Sequence, residues 1–195
     1  MNLANKITVI RILLIPFLII LLQPYPHWLE SKVYFFAHLN EFGIYYASLL
    51  FVLTAATDKL DGYIARKYNM VTNLGKLLDP LADKLLISVA LIMLVVLQMI
   101  PSWVALIIIG REILITAIRS VASSKGIALA ADNYGKLKMV LQVIAITAIL
   151  LNNYPFSFIT NLPIDKILML IAVILTIYSG YNYIAMNYKK LQLNA

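Results

Sequence analysis

The sequence contains no cysteine. That excludes disulfides, thiolate metal sites and a cysteine nucleophile, though it says little about compartment. Histidine is nearly absent too, with His27 and His38 the only two. Charge is thin: 13% of residues are charged, and only nine of the 195 are acidic, against 16 Lys and Arg. No internal repeat, linker or low-complexity tract divides the chain, so residues 1–195 read as one domain. What remains is apolar. Hydrophobic residues make up 62% of the chain and the mean hydropathy is +0.87, where a soluble domain has about 45–50% apolar residues. The apolar runs recur at about 17–25 residues, the length of a membrane-crossing helix. The net charge of +7 could mean nucleic acid, but the basic residues form no aromatic-interleaved patch. They suit Lys- and Arg-rich cytoplasmic loops, anionic lipids and phosphorylated substrates instead.

In chain order, residues 1–11 set Asn5, Lys6, Thr8 and Arg11 around Leu3, Ile7 and Ile10, a weakly amphipathic start expected as a short interfacial helix. An apolar run over 12–22 follows, with Pro16 a point for a kink, and Pro24 and Pro26 end it. No small-residue cleavage site follows, so an uncleaved first span is expected. A mixed-charge connection rich in aromatics (Trp28, Tyr34, Phe35, Phe36) leads to a second helix over about 43–66. The third is expected from Asp79-Pro80, where Pro suits a first turn and Asp the positive end of the helix dipole, to about 99. A fourth follows over 103–123, a fifth ends near 152, and a sixth spans 165–187. The expected fold is therefore an all-α integral membrane protein with six transmembrane helices. Only Lys32 and Lys166 of the 16 basic residues then fall on the outer face, so both termini are expected in the cytoplasm.

Four of the nine acidic residues, Asp58, Asp61, Asp79 and Asp83, fall within 26 positions. Carboxylates near lipid are costly unless paired, hydrated or bound to metal. Asp58 and Asp61 are i,i+3 neighbours and Asp79 and Asp83 are i,i+4, so each pair shares a helix face. Oxygen-rich clusters of this kind suit hard divalent cations, and four carboxylates suffice for two ions of the sort that assist phosphoryl-type displacement. Gly62 and Gly75 leave room for a bulky ligand near the backbone, and Arg66 can fork onto a phosphate. The plainer explanation is ion pairing of Asp58, Asp61 and Asp83 with Lys59, Arg66 and Lys84.

The pattern Asp58-x2-Asp61-Gly62-x2-Ala65-Arg66-x8-Gly75-x3-Asp79-x3-Asp83 resembles the signature of the CDP-alcohol phosphatidyltransferases in every residue and spacing. The resemblance implies that Asp58, Asp61, Asp79 and Asp83 hold two divalent cations, Mg²⁺ or Mn²⁺, and that Asp83 is also the general base. It implies CDP-diacylglycerol as donor, with Gly62, Ala65 and Arg66 lining its site beside Gly75. Thr72 is implied near the pyrophosphate, and Asn5 and Thr8 near the nucleotide, although a helix start would also explain those two as caps. A homodimer in the cell membrane, with the active site facing the cytoplasm, is implied as well.

The acceptor must be read from the second half. Arg111 and Arg119 lie eight residues apart, about two helical turns, and so face one side of a helix; Lys136 and Lys138 open the next. Their plain reading is an Arg111–Glu112 pair and positive-inside bias. Arginine deep in a membrane helix is costly, which favours a cavity that takes a phosphate-bearing acceptor. The runs Gly110-Arg-Glu-Ile113, Ala117-Ile-Arg119 and Gly135-Lys-Leu-Lys138 resemble the branch of the family that uses sn-glycerol 3-phosphate. That implies an acceptor bound by Arg111, Arg119 and Lys136. Inositol phosphate or serine as acceptor, a Mg²⁺-dependent membrane prenyltransferase and an ion transporter are the alternatives.

Overall fold

The computed structural model describes residues 3–67, 73–127, 129 and 133–191, and the side chains of 7–57, 78, 80–127, 129, 135 and 137–188. Its regular elements are all helical: α1 (Leu3–Leu22), α2 (His27–Glu30), α3 (Tyr34–Lys67), α4 (Asn73–Val96), α5 (Ser102–Ser124), α6 (Asn133–Leu150) and α7 (Ile164–Leu191), with one 3₁₀ turn at Phe156–Phe158. The α1 helix packs on α3 and α4, α5 on α4 and α7, and α6 on α7, α3 and α4.

Three boundaries differ from the sequence-based expectation. The amino-terminal segment is no separate interfacial helix, because α1 runs unbroken through Pro16; nothing before Pro16 stops a helix, and neighbouring helices can accommodate the missing N–H. The α3 helix begins nine residues before Gly43, at Tyr34. Aromatic neighbours at helical spacing support this extra length: the His38 ring lies 6.4 Å from Tyr34, 4.9 Å from Phe42 and 5.9 Å from Tyr46. Asn40 then ties the α1–α3 connection by accepting from the Tyr25 N–H at 3.0 Å and donating to its carbonyl at 2.9 Å. The third difference is α4, which starts at Asn73 and carries Pro80 in its interior rather than in its first turn.

The apolar core fills one half of the bundle. Leu18, Phe51, Leu91, Leu94, Ile108 and Ile146 sit there essentially without solvent contact. Outward, large apolar side chains such as Leu13 and Phe17 on α1, Leu106 and Ile113 on α5, and Ile174 and Ile177 on α7 are more than half exposed. A surface of this kind suits lipid rather than water. Among the described residues, Tyr34–Thr57 and Ile164–Tyr188 are long and apolar enough to cross a membrane, and Ile7–Leu22 and Leu137–Leu150 are shorter apolar helices.

One glycine sets the spacing of α1 and α3. A Cβ on the buried Gly43 would sit 2.3 Å from the Leu21 carbonyl oxygen, a backbone atom that cannot move alone. Ala47, one turn on, is fully buried, so the contact follows the small-xxx-small rule of close helix pairs. Gly110 is the contrast, with nothing within 4 Å of the same added atom. Gly43→Ala is therefore expected to cost about 2–3 kcal/mol of stability, and Gly110→Ala to be neutral or slightly stabilising. Thermal melting of the two variants in detergent checks this contrast.

Candidate active site

The core half gives way to a cavity of about 330 Å³ where α4 and α6 begin and α5 and α7 end. On α5, Arg111, Glu112, Ile115, Thr116 and Arg119 fall at spacings of three, four and eight, a single helical face turned to this cavity. Gly135, Lys138, Met139 and Gln142 repeat the pattern on α6, and Asp83 and Lys84 come from α4. Among the described lining residues, four cations (Lys84, Arg111, Arg119 and Lys138) thus meet two carboxylates (Asp83 and Glu112), a net formal charge of +2.

Glu112 is the hub. Its Oε1 accepts a hydrogen bond from Lys138 Nζ, and Arg111 Nη1 lies 3.7 Å from the same oxygen. The Arg111–Glu112 pair foreseen from sequence neighbours is thus present, but Lys138 makes the tighter contact. Thr116 Oγ1 donates to the Glu112 carbonyl at 2.6 Å and accepts from Lys84 Nζ at 2.5 Å. Lys84 therefore leans toward α5, although the ion-pair reading from sequence gave it to Asp83.

Asp83 is held from another direction. Arg11 Nη1 donates to Asp83 Oδ1 at 2.8 Å, with the Arg11 side chain 1% exposed and that of Asp83 22% exposed. This pair spans 72 residues and docks α1 against α4. On the far wall, Arg111 Nη2 donates to Ser179 Oγ at 2.8 Å, and Arg119 Nε reaches Tyr183 Oη at 3.5 Å.

The family model for CDP-alcohol phosphatidyltransferase matches residues 1–178. The chain belongs to this family. Among curated relatives, it is 43% identical to the CDP-diacylglycerol–glycerol-3-phosphate 3-phosphatidyltransferase of Bacillus subtilis (strain 168), covering 98% of this chain and 97% of that one. It is 36% identical to the protein of the same name from Rickettsia typhi (strain ATCC VR-144 / Wilmington), over 93% and 94% of the two chains. A probable phosphatidylglycerophosphate synthase of Mycobacterium tuberculosis (strain ATCC 25618 / H37Rv) is 34% identical over 94% of this chain and 80% of its own.

Of the residues singled out by sequence, Asp83, Arg111 and Arg119 come together in the cavity. Asp58, Asp61, Gly62, Ala65 and Arg66 lie on the last turns of α3, Gly75 and Asp79 on α4, and Lys136 on α6. The side chains at these positions and at Asn5 lie outside the described residues, as does Thr72 altogether. Thr8 is buried inside α1, five residues past its start, so it does not cap that helix. Sequence reasoning gave no site role to Arg11 or Tyr183, took Lys84 and Glu112 only as ion-pair partners, and did not name Lys138 as a ligand. The period of Gly135, Lys138 and Gln142 could have found Lys138; nothing local could have paired Arg11 with Asp83.

Removing the hub carboxylate would leave Lys138 and Arg111 buried without their counter-charge. Glu112→Ala is expected to cost about 3–5 kcal/mol, a fall of roughly 10 °C in melting temperature. Glu112→Gln, which keeps an acceptor oxygen, is expected to lose clearly less, and thermal melting of the two variants compares them.

Proposed function

We propose that the protein transfers the phosphatidyl group of CDP-diacylglycerol to sn-glycerol 3-phosphate, giving phosphatidylglycerophosphate and CMP. The observation that carries this reading is the basic cavity beside Asp83 in a chain 43% identical, over nearly its full length, to a relative whose name states that reaction. The net charge of +2 on the described lining residues complements a phosphate monoester, which carries about −1.5 to −2 at neutral pH. Serine offers no such group. Inositol phosphate would satisfy the same charge, and the names of the relatives favour the glycerol ester.

In this reading Arg111, Arg119 and Lys136, joined by Lys138, take the acceptor's phosphate, with Arg forking onto two oxygens and Lys acting as a point charge. Asp83, oriented by Arg11, receives the proton of the acceptor's hydroxyl. The freed oxygen bonds to the lipid-side phosphorus, the bond from that phosphorus to the CMP oxygen breaks, and CMP departs with the electron pair. Gly62, Ala65, Arg66, Thr72 and Gly75, with Asn5 and Thr8 from α1, bind the CDP-lipid. Carboxylate oxygens are the donor type that hard cations prefer, and the backbone sets Asp58 and Asp61 one turn apart on α3 and Asp79 and Asp83 one turn apart on α4. These four would hold two Mg²⁺ or Mn²⁺ ions, which when bound neutralise charge on the diphosphate.

The same reading makes α1, α3, α4, α5, α6 and α7 six spans of the cell membrane. Both termini and the cavity then face the cytoplasm, where most Lys and Arg collect. The protein would work as a homodimer among membrane lipids.

Purified protein given CDP-diacylglycerol, Mg²⁺ or Mn²⁺ and each acceptor in turn is expected to release CMP with glycerol 3-phosphate. Product with inositol phosphate and none with glycerol 3-phosphate would contradict the proposed acceptor. In the same assay Asp83→Asn is expected to lower kcat by about 10²–10⁴; full turnover by that variant would remove Asp83 as the base.

A further inference from the structure

Among the described residues, the α7 helix adds no charged side chain to the cavity lining, yet it seats two of its cations. Ser179, fully buried, accepts from Arg111 Nη2 at 2.8 Å. At the next position a Cβ on Gly180 would lie 3.2 Å from Arg111 Cγ and 3.7 Å from its Nε, so the bare backbone is what lets the arginine stem lie flat on the helix. One turn further, the Tyr183 hydroxyl is 3.5 Å from Arg119 Nε, and its ring centre is 5.5 Å from the Arg119 guanidinium carbon, within cation–π range. Tyr183 is itself 1% exposed and so cannot swing away. Residues 179, 180 and 183 share one face of α7.

We propose that Ser179, Gly180 and Tyr183 are positioning residues for the acceptor: they fix the aim of Arg111 and Arg119, and so set the affinity for the acceptor's phosphate from a helix outside the signature. The inference rests on the reading of this cavity as the acceptor site. An arginine side chain is long and flexible, and ordering it beforehand lowers what binding must overcome. The notch at Gly180 fixes the stem, the Ser179 hydroxyl fixes one end of the fork, and the Tyr183 ring flanks the second guanidinium. Helix packing alone would also favour small residues at 179 and 180, but it would not make their effect depend on Arg111.

That dependence is the test. CMP release by purified protein in detergent is measured while glycerol 3-phosphate is varied at saturating CDP-diacylglycerol, and then the reverse. Ser179→Ala and Gly180→Ala are each expected to raise KM for glycerol 3-phosphate about tenfold and to leave KM for CDP-diacylglycerol within about twofold. Tyr183→Phe, which keeps the ring, is expected to raise it only about threefold. On an Arg111→Ala background the first two substitutions are expected to add less than about twofold, because they act through the arginine. Parallel shifts of both KM values, a change confined to kcat, or full additivity with Arg111→Ala would overturn the proposal. Should Gly180→Ala fail to fold, Ser179→Ala carries the same cycle. Wild-type protein inactive with glycerol 3-phosphate would overturn the acceptor reading and this inference with it. Normal wild-type turnover with parallel shifts would overturn this inference alone.

Discussion

A carboxylate set among apolar helices must find positive partners, and Glu112 finds them on more than one helix. Lys138 reaches it from α6 and Arg111 from its own helix. Thr116 links its backbone to Lys84 on α4, and Arg111 extends the network to Ser179 on α7. Four helices converge on charges that cannot be left unpaired in a low-dielectric interior. The convergence leaves a cavity rather than a packed core. Among the described lining residues, two acids stand with four cations, a surplus of +2, and in the proposed reading that surplus receives an anion.

The surplus needs a place next to the chemistry, and Arg11 supplies the connection. By docking α1 on Asp83, it holds the end of the aspartate signature at the cavity wall. In the proposed reaction the donor's diphosphate and the acceptor's phosphate are both anionic and must be brought together. In that reading two separately charged walls would achieve this: carboxylates with their cations on α3 and α4, and arginines and lysines on α5 and α6. Gly43 and Gly180 are the steric counterparts of this arrangement. The first lets α1 approach α3 closely, and the second lets Arg111 lie along α7.

Much of this could be read from the chain itself. The apolar runs announced the helices, since a bundle in lipid must satisfy its backbone within each segment. The aspartate spacing pointed to Asp83, which lines the cavity, while the side chains of Asp58, Asp61 and Asp79 lie outside the described residues; the eight-residue step from Arg111 to Arg119 announced the basic face. Helix ends were less legible. Aromatic side chains at 34, 38, 42 and 46 extend α3 through a stretch whose composition reads as interfacial loop, and Pro80 sits inside α4 because surrounding helices tolerate it. The contacts that assemble the cavity were not legible at all. Arg11 with Asp83, Lys84 with Thr116 and Arg111 with Ser179 join residues 72, 32 and 68 positions apart, and only the packing of the helices brings them together. Lys138 is the intermediate case. Its helical phase with Gly135 and Gln142 was readable, but its partner Glu112 was not.

In the proposed reading the positive charge of this cavity receives the acceptor's phosphate, and a density map of the protein with glycerol 3-phosphate bound tests it. The phosphate is expected within hydrogen-bond distance of both the Arg111 and Arg119 guanidinium groups, with the glycerol directed toward Asp83. A phosphate bound elsewhere, with no anion between these two arginines, would contradict it.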